Sequence, residues 1–121
     1  MASEYKNVEL TQLSSFERDA VGTFTAKLVE AFGNQISSVS LHGLKNSTYR
    51  EAGVLELLVL LRKPSSLMEA RVADLALDQY VESGINIRVT CFDQKQFKVF
   101  QKMKMPRIEQ MQKDAVALWA A

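Results

Sequence analysis

The densest apolar stretch of the chain runs from Val54 to Leu61 and contains one charged residue, Glu56. A run of this composition and length predicts a central β-strand that is buried on both faces. A buried carboxylate without a partner destabilises the fold strongly or takes up a proton. We therefore expect Glu56 to have a cation, a metal or a hydrogen-bond donor beside it, or to lie at a solvated end of the strand.

Two other segments alternate apolar and polar residues with the period of two that is typical of strands. The first covers residues 38–42 and ends at Gly43, and the second runs from Ile85 to Phe92. The connection from Gly43 to Gly53 is too short for a crossover helix, so the first two strands are predicted to be antiparallel neighbours. Strand, glycine, polar loop and acidic strand form the central unit of the chain.

Apolar residues at helical spacing precede and follow this unit. A capping-box pattern at Ser14 and Glu17 predicts the start of the first helix, and Gly33 is expected to end it. A second capping-box pattern at Ser66 and Glu69 predicts a helix that runs to residues 83–84. This helix allows the second and third strands to be parallel.

The C-terminal region is also predicted to be helical. A short helix is expected from Gln94, and Pro106 stands at a favoured first position of a final helix. The apolar stripe of that helix continues through Leu118 to Trp119. A helix of this kind is expected to pack on the sheet or on another chain.

This order of elements predicts an α/β (α+β) fold, with a small mixed sheet of about three to four strands packed with helices and a helical C-terminus. A length of 121 residues predicts one domain over residues 1–121. Residues 1–12 show no sustained period, so we expect a tail that docks late or stays mobile.

Composition narrows the function classes. Fifteen basic and 14 acidic residues give a net charge of +1, so no global field supports a nucleic-acid partner. A single cysteine, Cys91, rules out an internal disulfide, and one histidine leaves too few soft ligands for a structural zinc site. No apolar segment approaches the roughly 20 residues that cross a bilayer, and the N-terminus lacks a signal-peptide pattern. We expect a cytoplasmic protein with no membrane partner.

The first strand ends in Leu41-His42-Gly43-Leu44, and after a polar loop the second strand reads Leu55-Glu56-Leu57-Leu58-Val59-Leu60. These motifs resemble those of small bacterial nucleotidyltransferase-fold proteins of the DNA polymerase β-like superfamily. Residues 85–97 resemble the family's third strand and the segment after it, and residues 105–119 resemble its closing helix. The resemblance therefore covers nearly the whole chain and implies a minimal nucleotidyltransferase-like domain.

In that family a Gly-Ser loop cradles the triphosphate, and two aspartates on the second strand bind Mg²⁺. Carried to this chain, the resemblance matches Gly43 to the glycine and Glu56 to the second aspartate. Leu44 stands where the family has the serine, and Val54 stands where it has the first aspartate. A two-metal site needs bridging carboxylates, so the resemblance implies a degenerate active site in which Glu56 is the remnant ligand.

The third strand offers Asn86 and Arg88 where some family members have a third carboxylate. Because the family fold places this strand beside the second, we predict an ion pair between Glu56 and Arg88. A guanidinium group would satisfy the carboxylate without a metal. If the pair is buried, removal of one partner is expected to cost roughly 3–5 kcal/mol.

Three functions are compatible with these residues. The first is a catalytically degenerate domain, a pseudoenzyme that acts as a binding or regulatory module beside a protein partner and needs no cofactor. In it, Gly43, Leu44 and Lys45 are the candidate nucleotide-binding residues. The second is an active nucleotidyltransferase that uses Mg²⁺ and an NTP, with Glu56 and a loop acid such as Glu51 as metal ligands. The third is a homo-oligomeric structural domain that associates through a sheet edge or its terminal helix.

Other polar residues have simpler interpretations. His42 is interpreted as a surface or packed histidine, and Cys91 as a small core residue. Tyr49 and Arg50 are phosphate-binding candidates on a loop that is charged and solvated. A basic run interleaved with Phe97 and Phe100 is interpreted as the solvated side of a packed terminal helix. The basic residues of this run are Lys95, Lys98, Lys102, Lys104 and Arg107.

Overall fold

The computed structural model of the chain describes residues 13–42, 54–113 and 115–121. Four helices and four strands lie within these residues. The helices are α1 (Ser15–Phe32), α2 (Ser66–Ser83), α3 (Gln94–Lys102) and α4 (Pro106–Lys113), and a 3₁₀ turn (Gly33–Gln35) follows α1. The strands are β1 (Ile36–His42), β2 (Val54–Leu61), β3 (Asn86–Asp93) and β4 (Val116–Ala120).

The four strands form one mixed sheet in the order β3-β2-β1-β4. Strand β1 is antiparallel to both of its neighbours, β2 and β4. Strands β2 and β3 are parallel, as the helix between them allows. The predicted mixed α+β fold, the antiparallel first pair and the parallel second pair are therefore confirmed.

Side-chain caps begin the first three helices. Ser14 and Glu17 form the predicted capping box at α1: the Glu17 backbone N–H donates to Ser14 Oγ at 3.1 Å, and the Ser14 N–H donates to Glu17 Oε1 at 2.9 Å. At α2 the cap is Ser65, whose Oγ accepts from the Met68 N–H. The predicted box at Ser66 was therefore one residue too late. At α3 the Asp93 side chain accepts from the Lys95 N–H at 2.8 Å.

Helices cover both faces of the sheet. Alternate residues of β2, including Leu55, Leu57 and Val59, are buried with α1 and α2 in the larger core cluster. The other face contributes Leu58 to a smaller cluster with Phe97, Ile108 and Met111 of α3 and α4. Strand β2 is thus central and buried on both faces over its second half, as its composition predicts.

The end of the chain differs from the sequence prediction. The C-terminal region is helical from Gln94, but its last helix ends at Lys113 instead of continuing to Trp119. Val116–Ala120 forms β4, which pairs with β1 and buries Leu118 completely. The terminal stripe therefore packs by joining the sheet as a strand.

Candidate functional site

One row of side chains crosses three strands at one end of the sheet. In the antiparallel pair His42 lies opposite Glu56, and in the parallel pair Glu56 lies opposite Arg88. Residues that lie directly opposite each other project from the same face. The structure therefore places His42, Glu56 and Arg88 side by side on the face that carries α3 and α4.

This end of the face is open to solvent. The two C-terminal helices pack over Leu58 and Leu60, one and two rows further along β2. Glu56 and Arg88 are exposed, and His42 is half-buried. Glu56 was expected to have a partner or to lie at a solvated end of its strand, and the structure supports the solvated strand end.

The predicted ion pair between Glu56 and Arg88 is only partly supported by this geometry. The two residues are register partners, so the predicted neighbourhood is confirmed. Among the residues that the structure describes, however, the ion pair found is Lys27 to Glu82, at 3.3 Å. The prediction of a buried Glu56–Arg88 pair is wrong because solvent reaches both side chains.

The loop candidates cannot be placed beside this row. Gly43, Leu44, Lys45, Tyr49, Arg50 and Glu51 lie outside the described residues. Their proposed roles in nucleotide or metal binding therefore remain predictions.

The described residues at this end do not fit a Mg²⁺ site. Val54 lies two residues before Glu56 on the same face, and its side chain has no oxygen atom that could bind a metal. The partner of Val54 on β3 is Asn86. Within residues 13–42, 54–113 and 115–121, no group of three or more His, Cys, Asp or Glu side chains is placed to hold a metal ion. A carboxylate beside a guanidinium forms a mixed-charge surface, which is better suited to an anionic ligand with polar groups than to a divalent cation.

The basic run lies where the sequence predicts. All five of its cationic residues are exposed on or after α3, whereas Phe97 is buried and Phe100 is half-buried against the smaller core cluster. Phe92 packs against both rings, with centroid separations of 5.6 and 6.1 Å. The aromatic rings therefore pack against one another and against the smaller core cluster.

Cys91 is half-buried and packs against the larger core cluster, in agreement with its predicted role. Burial, with a smaller contribution from the Glu69 carboxylate, raises the pKa of its thiol to about 11. The thiolate is the nucleophilic form. Cys91 is therefore a poor nucleophile near neutral pH.

A groove between α2 and β3 was not predicted from the sequence. Its volume is about 580 Å³, and its lining includes Leu77 and Tyr80 of α2 with Ile87 and Val89 of β3. The sequence does contain a signal for it. Beside the stripe that α2 buries, Ala70, Ala73 and Leu77 form a second stripe at helical spacing.

Comparisons with protein-family models, curated proteins and solved structures find no match to this chain. The resemblance to nucleotidyltransferases therefore stays a prediction from the sequence motifs. Among the helices that the structure describes, none has the length and apolar character needed to span a membrane.

Proposed function

We propose that this chain is a nucleotidyltransferase-like domain that has lost catalysis and acts as a binding module. The observation that carries the proposal is the row at the open end of the sheet. Among the described residues, Glu56 is its one carboxylate, and Arg88 is the register partner of Glu56. By the resemblance, Val54 stands where the family has its first aspartate. We place the protein in the cytoplasm, as its sequence predicts.

The chemistry of the row favours an anion that binds without a metal. Exposed Arg88 presents a guanidinium group that can donate two parallel hydrogen bonds to a phosphate. Glu56 beside it can accept hydrogen bonds from hydroxyl or amino groups. A phosphate-bearing nucleotide offers both kinds of group, so we take a nucleotide as the ligand class.

Labelled ATP with Mg²⁺ tests whether catalysis has been lost. We expect no transfer of label to protein or RNA by the wild type. We also expect none by Leu44→Ser, because restoring a phosphate-facing hydroxyl does not restore the missing aspartate. Clear labelling by Leu44→Ser alone would contradict a degenerate site.

One observation favours the alternative of an active enzyme. Glu56 is exposed, and the structure shows no ion pair between it and Arg88 among the residues it describes, so its carboxylate is accessible to a metal. In that case Glu51 would be the second ligand. Transfer by the wild type that Glu56→Gln and Glu51→Gln each abolish would establish the enzyme and overturn the binding module.

A further inference from the structure

An apolar stripe lies on the outer side of α2. Leu77, Tyr80 and Val81 are 60%, 51% and 76% exposed, and Ala73 and Ala70 are exposed one and two turns before Leu77. These residues repeat at intervals of three and four, so they lie along one side of the helix. A second stripe buries residues of α2 against the sheet. A helix that is apolar on two sides is typical of one that is covered on both.

Strand β3 lies at the edge of the sheet next to this stripe. Its eight residues pair with β2 without a register shift, contain no proline, and carry one charge, Arg88, before the final Asp93. The opposite edge, β4, has five residues and a bulge in its pairing. Short, bulged or charged edges resist pairing with another chain, whereas a long regular edge invites it. Strand β3 has the features of an edge that is covered.

The groove between α2 and β3 lies between the exposed apolar stripe of α2 and the edge strand β3. An occupant must pair with the strand and also cover the helix. A single peptide strand could pair with β3, but it would leave the outer side of Leu77 and Val81 in water. A second copy of this chain supplies both elements at once, because its own β3 and α2 are adjacent in the same way.

We propose that two copies of this chain associate through β3 and α2 about a two-fold axis. The β3 strands pair antiparallel and join the two four-stranded sheets, and the α2 helices lie side by side across the junction. Adjacent strands are about 4.8 Å apart. Helix α2 packs mainly on β3, so the two α2 helices come close enough across this junction to contact each other.

The side chains of the exposed α2 stripe are small in its first half and large in its second half, so two antiparallel copies of the stripe fit each other. The helix runs antiparallel to β3: Glu69 lies near Cys91, and Tyr80 and Asn86 both line the other end of the groove. A two-fold axis at the middle of β3 therefore falls at the level of Ala73. About that axis, the small half of one stripe meets the large half of the other. The small half is Ser66, Ala70 and Ala73, and the large half is Leu77, Tyr80 and Val81.

The surface is large enough for a stable dimer. The eight residues of β3 extend about 26 Å, and the 18 residues of α2 extend about 27 Å. A patch of this length that spans a strand edge and a helix is on the scale of about 800 Å² per partner found in standard interfaces. The groove lies on the α2 side of the sheet and the Glu56 row on the α3 side, so the two proposals are independent.

Size-exclusion chromatography with light scattering tests the dimer. The wild type is expected to have twice the chain mass of 13.6 kDa. Leu77→Lys places a charge at the junction and should give the monomer mass with an unchanged cooperative melt, since Leu77 is exposed within one chain. Phe16→Lys is the matched control: Phe16 is 74% exposed on α1, and this variant should stay dimeric.

Hydrogen exchange of the full chain gives a second measurement. Amides of residues 87–91 that face away from β2 should be protected in the wild type and exchange faster in Leu77→Lys. A monomeric wild type at its highest soluble concentration would overturn the proposal and leave the groove to a different partner. A dimer that survives Leu77→Lys with unchanged exchange in β3, or that Phe16→Lys breaks equally well, would also overturn it.

Discussion

Substitution of Leu118 by alanine tests whether the end of the chain is part of the core. Leu118 lies in β4 and has no exposed surface. The change removes about three buried carbon groups at about 0.8 kcal/mol each, or about 2.4 kcal/mol. A residual cavity of about 60 Å³ adds about 1.4 kcal/mol at about 24 cal/mol per Å³. We therefore expect Leu118→Ala to lower the free energy of unfolding by about 4 kcal/mol.

Urea unfolding followed by far-UV circular dichroism measures this loss. With a slope of about 1.5 kcal/mol per molar urea, the midpoint should fall by about 2.5 M. Leu67→Ala is the matched control, because the same atoms are removed from a leucine that is 64% exposed, and its midpoint should shift by about 0.3 M or less. Equal small shifts in the two variants would refute the insertion of β4 into the core.

Three further experiments test other contacts. Arg88→Ala and Glu56→Leu should each change the free energy of unfolding by less than about 1 kcal/mol in thermal melts, because both residues are exposed; a double-mutant coupling above about 3 kcal/mol would show a buried pair instead. Ser14→Ala should cost about 1 kcal/mol through loss of the α1 cap, and an unchanged melt would argue against the capping box. Alkylation of Cys91 in the folded protein should reach half its maximal rate near pH 11, not near the ordinary pKa of 9.0. Because the folded pKa is the higher one, the thiol's contribution to stability is complete below pH 9 and is lost as the pH rises to about 11; alkylation that is half-maximal near pH 9 would contradict its burial.

Elements with strong local signals were predictable from the sequence. The capping box at Ser14 and Glu17 located α1, and the apolar run Val54–Leu61 located β2 residue for residue. The strand pairing followed from connection lengths, because a short loop favours antiparallel neighbours and a helix permits a parallel pair. These signals lie within a few residues of the elements that they specify.

The last strand could not be predicted in the same way. Met111, Ala115 and Leu118 continue the spacing of α4, so the local pattern favours a longer helix. The competing preference is pairing with β1, whose residues lie more than 70 positions earlier in the chain. A bulge between Val39 and Ser40 also interrupts the simple alternation along β4 that would have indicated a strand.

The environment of Glu56 depended on tertiary packing. The sequence context of Glu56 resembles that of a buried residue, since all the remaining positions of β2 are apolar. Exposure follows from where α3 and α4 lie: they cover Leu58 and leave the first half of that strand face in water. The sequence predicted that Arg88 would be its neighbour, but it could not predict that solvent would reach both side chains.

Calorimetric titration with ATP, in Mg²⁺ and again in EDTA, tests the central claim of a metal-independent binding module most directly. We expect the same affinity in both buffers. Glu56→Gln should bind no more than about fivefold more weakly, because its amide oxygen still accepts a hydrogen bond from the ligand. Arg88→Ala should bind at least about tenfold more weakly, since a charge-assisted hydrogen bond contributes about 1.5–3 kcal/mol. Binding that requires Mg²⁺ and that Glu56→Gln abolishes would contradict the account and identify Glu56 as a metal ligand.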